Sequence, residues 1–86
     1  MTIPKAPHIL VVDDEVKLAK LLRYSLQHAG YTVHTADSGQ AALELFDRIP
    51  FDVVLTDVKM SGMNGFELCA ALRQRNDVLI VLLTAC

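Results

Sequence analysis

Four oxygen-bearing side chains stand where apolar runs end. Asp13 and Asp14 follow Ile9–Val12 without a spacer, Asp57 follows Asp52–Thr56, and Thr84 follows Val78–Leu83. If those runs are neighbouring parallel strands, their carboxyl ends open on the crevice where doubly wound sheets bind ligands. In a sheet of order 2-1-3-4, three acids and one hydroxyl then converge there. Two carboxylates ~5 Å apart repel by about 3 kcal/mol at an effective dielectric of ~20. Three therefore call for a cation or a raised pKa. Hard oxygen ligands in that number suit Mg²⁺, which keeps several waters and accepts a phosphate oxygen. A carboxylate beside such an ion can act as nucleophile and form an aspartyl phosphate. Thr84 is then placed to hydrogen-bond a phosphoryl oxygen, and the small-residue loop Lys59–Gly65 to bring its backbone near the same group.

Each residue taken singly has a plainer reading. Asp14 can cap the first helix, although Lys17 occupies the position where a capping box needs Glu or Gln. Asp57 can be a turn residue, and Thr84 alone says nothing. The joint placement at three strand ends favours a site. His8, His28 and His34 show no mutual helical or strand pairing and read as surface or packing residues. Cys69 and Cys86 are too few for a disulfide framework and lack metal-ligand spacing, so they read as bystander thiols.

The elements that must position the acids are legible in the hydrophobic pattern. Ile9–Val12 reads as a strand buried on both faces. Leu18, Leu22 and Leu26, with Leu21 and Ala29 beside them, predict an amphipathic helix that Gly30 stops in a left-handed conformation. Tyr31–Thr35 is a second strand. Ser38 is a helix cap, and Ala42, Leu45, Phe46 and Ile49 form an inner face ended by Pro50. Asp52–Thr56 is the third strand. Asn64 and Glu67 make a capping-box pair, and Phe66, Cys69 and Leu72 give the third helix its apolar side. Val78–Leu83 is the fourth strand. Continuous apolar strands alternating with helices imply an α/β domain with a parallel sheet covered on both faces. Each side chain of VLIVLL would contribute ~1.5–3 kcal/mol if buried, so this strand belongs inside a sheet rather than on an open edge. The chain is therefore expected to be incomplete by itself.

Composition bounds the rest. The chain has 86 residues, enough for one domain, with 52% hydrophobic residues and a formal net charge of -2. No basic run supports direct nucleic-acid binding. No apolar stretch is long enough to span a membrane and MTIPKAPH is no signal peptide, so a cytoplasmic setting is expected.

The stretches ILVVDDE, DVVLTDVKMSGMNGFEL and VLIVLLTA, in this order and spacing, resemble the receiver domain of bacterial two-component response regulators. The resemblance implies a flavodoxin-like sheet of order 2-1-3-4-5, with Asp57 as phosphoacceptor. It implies Asp14 and Asp57 as direct Mg²⁺ ligands, Asp13 acting through water, the backbone carbonyl of Lys59 as a further ligand, and Thr84 as switch hydroxyl. The phosphodonor would be a phosphohistidine on a sensor histidine kinase, and the output, transcription among the possibilities, would lie outside the segment. Such a domain is not a conventional enzyme but catalyses its own phosphorylation. Two departures stand out. Ser61 occupies a position where the family usually has proline. The family's fourth helix, fifth strand and fifth helix, and the lysine before that strand, have no counterpart here; Lys59 sits in a different loop. Residues 1–86 then read as one partial receiver domain with residues 1–7 as a tail. The alternatives are an unphosphorylated interaction module, dimerising or exchanging segments through the fourth-strand edge, and a nucleotide or flavin binder. DDE stands where the latter needs a glycine-rich loop.

Overall fold

The strands form where aliphatic and β-branched residues run unbroken, and the helices where apolar residues recur on one face. The computed structural model describes residues 5–83; the readings that fall on Thr84 and Cys86 lie outside them. In chain order the elements are β1 (His8–Val12), α1 (Val16–His28), β2 (Thr32–Ala36), α2 (Gly39–Arg48), β3 (Val53–Asp57), α3 (Gly65–Arg73) and β4 (Leu79–Leu83). All strands are parallel, in the order β2-β1-β3-β4. This is a flavodoxin-like order for the four strands. The register places Val12 level with Ala36 on one side and Thr56 on the other. The chain therefore leaves β1 and β3 at the same height, and the residues that follow each strand meet.

Local chemistry sets the helix ends. Ser38 accepts a hydrogen bond from the Ala41 N–H at 3.0 Å and starts α2. Asn64 and Glu67 form the reciprocal capping box of α3, with bonds of 2.8 and 3.0 Å. After α1 the chain turns through Gly30, whose φ of 101° is open to glycine but strained for other residues.

The α1 face differs from expectation. Ala19 is buried and Leu22 and Leu26 pack beside it, whereas Leu18 and Leu21 are exposed. At about 100° per residue, Leu18 lies at the margin of the stripe set by Ala19, Leu22 and Leu26, and Leu21 lies beyond it. In α3 the sheet-facing residues are Leu68 and Leu72, while Phe66 is 60% exposed. Phe66 lies about 160° around the helix from Leu68, on the opposite face. Leu43 of α2 joins the core in addition to the expected residues.

Two clusters sandwich the sheet. Leu10, Val12, Ala36 and Val54 meet α2 and α3 on one face; Ile9, Val11 and Val33 meet α1 on the other. β4 stands last in the sheet, as the expected order 2-1-3-4 has it. Among the described residues it is an edge strand, with Leu79 60% and Val81 39% exposed on the α1 face.

Candidate metal centre

The β1–β2 ladder continues one residue past β1: the Asp13 N–H donates to the Ala36 carbonyl at 3.0 Å. That bond fixes the Asp13 backbone at the sheet rim. Its side chain is only 2% exposed, and Oδ1 accepts the Glu15 N–H at 2.8 Å. Burying a carboxylate is costly without such a donor. Asp14, one residue on, is exposed, and its Oδ2 accepts the Ser61 N–H at 3.1 Å. Asp57 is the last residue of β3; its Oδ1 accepts the Val58 N–H at 2.8 Å. The neighbouring Thr56 is fully buried, and its hydroxyl donates to the Asp57 carbonyl at 3.0 Å, which satisfies a polar group inside the sheet.

One carboxylate oxygen from each of Asp13, Asp14 and Asp57 lies within 4.8 Å of the others. Among the described residues none of the three makes an ion pair; the pair present there, Arg75 with Asp47 at 2.7 Å, is on α2 and the chain after α3. Three carboxylates are thus gathered with backbone N–H groups, and among the described residues no cationic side chain pairs with them. All the donors are hard oxygens, one buried, one half-buried and one exposed. This set fits a small divalent cation that retains part of its water shell.

The structure therefore brings together the three acids singled out in the sequence. It does not use Asp14 as a cap: α1 begins after Glu15, and no side chain caps it. The free N–H of Glu15 goes to Asp13 instead, because the chain bends back on itself after β1. Lys59 is exposed on the loop after β3. His8 and His34 do pair across β1 and β2, with rings 6.4 Å apart, and His34 meets Phe51 edge-on at 5.6 Å. They pack with each other and with Phe51 and do not join the acids. Cys69 is a half-buried free thiol.

Three contributors escaped the sequence reading. The N–H of Ser61 reaches Asp14 by a backbone atom, which no residue type advertises. Gly65 sits against β3: a Cβ there would collide with the Asp57 carbonyl oxygen and stand 2.9 Å from the Val58 Cα. The buried Thr56 hydroxyl could have been found, since a hydroxyl in an otherwise apolar strand must find a partner.

No helix among the described residues is long and apolar enough to cross a membrane. The family model described as response regulator receiver domain matches residues 9–86. The chain is 38% identical over 78 residues to the probable transcriptional regulator ycf27 of Cyanidium caldarium, covering 91% of this chain and 31% of that protein. It is 39% identical over 77 residues to the sensory transduction protein RegX3 of Mycobacterium tuberculosis, covering 90% and 34%. Its fold matches the response regulator TrrA of Thermotoga maritima, solved in complex with Mg²⁺-BeF, at a TM-score of 0.89 and 41% identity, over 93% of this chain and 70% of that one. The chemotaxis protein CheY4 of Vibrio cholerae matches at 0.89 and 34%, over 91% and 68%. The chain thus spans about a third of the length of these curated relatives. The matched family, the sheet order and the acids gathered at its rim agree: the chain belongs to the receiver domains of two-component response regulators.

Proposed function

We propose that this chain accepts a phosphoryl group on Asp57 from a phosphohistidine of a sensor histidine kinase, with Mg²⁺ held by Asp13, Asp14, Asp57 and the Lys59 carbonyl. The observation that carries this reading is the approach of the three carboxylates within 4.8 Å at the carboxyl ends of β1 and β3. The Val58 N–H engages Oδ1 of Asp57, so Oδ2 is the nucleophile. Its oxygen forms a bond to phosphorus as the bond from phosphorus to the imidazole nitrogen breaks. The electron pair stays on that nitrogen, and because the other ring nitrogen carries a proton the histidine leaves as neutral imidazole. Bound Mg²⁺ supplies neutralisation of the charge on the phosphoryl oxygens. Asp13 and Asp14 hold the negative charge that attracts the cation, and the Glu15 and Ser61 amides orient them. Thr84 follows β4 in sequence and is assigned the switch hydroxyl, drawn toward the phosphoryl group to bias a two-state equilibrium. Residues 1–86 act as part of one cytoplasmic receiver domain, with residues 1–7 as a tail, and do not bind nucleic acid directly. The output is transcription, carried outside this segment, in keeping with the printed role of the ycf27 relative.

The test is incubation with Mg²⁺ and a small acyl phosphate donor. A hydroxylamine-labile adduct on Asp57 is expected, and none in Asp57→Asn; an adduct in that variant removes the assignment. The exposed β4 edge favours a second reading, a homodimer or segment-exchanged oligomer joined through that strand. A monomer at all concentrations in analytical ultracentrifugation would rule it out.

A further inference from the structure

We infer that the backbone N–H of Ser61 is a positioning donor that turns Asp14 toward the cation and closes the β3–α3 loop over the acids. The inference rests on the metal reading above. Asp14 is the most exposed of the three acids. Asp13 and Asp57 are oriented by amides one or two residues further along their own segments. The donor to Asp14 comes instead from 47 residues away. The loop is built to deliver it. Its base is closed by the Gly65 N–H donating to the Val58 carbonyl at 2.8 Å, and Gly62 turns the chain directly after Ser61 with φ 74°. An ionised carboxylate has about four acceptor sites, so one N–H at Oδ2 leaves room for a metal and its waters. The bond is charge-assisted and directional.

The serine side chain plays no part in this contact; any residue with an N–H would serve. Proline would not, because it lacks that donor. The position where this chain departs from the pattern it resembles is thus the position that supplies the amide.

The test compares altered forms of this chain with the wild type. Ser61→Ala keeps the N–H, and Ser61→Pro removes it. Replacing the Met60–Ser61 amide by an ester, through chemical ligation, removes it without restricting φ. Calorimetric titration with Mg²⁺ should show Ser61→Ala within about twofold of wild type, and both the proline and ester chains weakened about three- to tenfold, the low end of effects from groups that orient metal ligands. In the metal-free chain the Ser61 amide should exchange slowly with deuterium, and faster in Asp14→Ala. A wild type that binds no Mg²⁺ overturns the metal reading itself. Wild-type affinity in the ester chain, or an equal loss in Ser61→Ala, overturns the positioning role alone.

Discussion

The two faces of the sheet draw on the same strands and differ sharply in how much they bury. Among the described residues, eleven are buried on the α2–α3 face, from Leu10 and Val54 to Leu68, Leu72 and Val78. On the α1 face four are buried, and Leu22, Leu26, Val53 and Leu55 are only partly covered. Strand composition does not explain this, since alternate residues of one apolar run point to opposite faces. The difference is cover: two helices lie over one face, and one helix over the other. Leu79 and Val81 are level with Val53 and Leu55 on the α1 side and stay exposed, while Ile80 packs with the larger cluster. Hydrophobic stabilisation follows area removed from water rather than residue type, so the faces should respond unequally to the same truncation.

The most damaging change should be Leu68→Ala, at about 2–5 kcal/mol in urea unfolding, because the side chain is fully buried between α3 and the sheet. A loss well below that would mean the larger face is looser than it looks. Gly65→Ala follows at about 1–3 kcal/mol, since the new methyl meets the backbone of Asp57 and Val58, which cannot rotate away. It should also weaken Mg²⁺ binding by shifting Asp57, which a titration would detect. Leu55→Ala should cost about 1 kcal/mol, less than the fully buried and smaller Val54 in the same assay. The reverse order would erase the distinction between the faces. Leu21→Gln should stay within about 0.5 kcal/mol of wild type.

The smallest effect concerns the covered face alone. The Arg75 guanidinium hydrogen-bonds Asp47 on α2 and holds its carboxyl below the ordinary value of 3.8. A depressed carboxylate stabilises the fold above its unfolded pKa, and that contribution is lost as pH falls through the folded value. Both groups lie at the surface, so Asp47→Asn should leave unfolding at neutral pH nearly unchanged and flatten only the slope of stability below about pH 4. An equal slope in both chains would show the pair to be inert.

The acids illustrate how far residue types carry. Asp13, Asp14 and Asp57 could be picked out because each follows a run that had to be a strand, and parallel topology brings such ends together. The caps at Ser38 and Asn64 were readable for a similar reason: the donor and its acceptor lie within three residues. Contacts between distant segments were not. Whether Leu18 or Ala19 faced the sheet depended on how α1 crossed it, and the exposure of Phe66 on which side of α3 met the sheet.

Local periodicity, end signals and the position of charges relative to apolar runs therefore specified the element order, the parallel sheet and the site's acidic members. Such features depend on neighbours within a few residues, so they survive in the linear chain. Tertiary structure alone decided that the Ser61 amide meets Asp14, that Gly65 lies against the Asp57 carbonyl, and that one face of the sheet is covered more deeply than the other. Each depends on the distance between segments far apart in sequence, which is settled only when helices and strands pack.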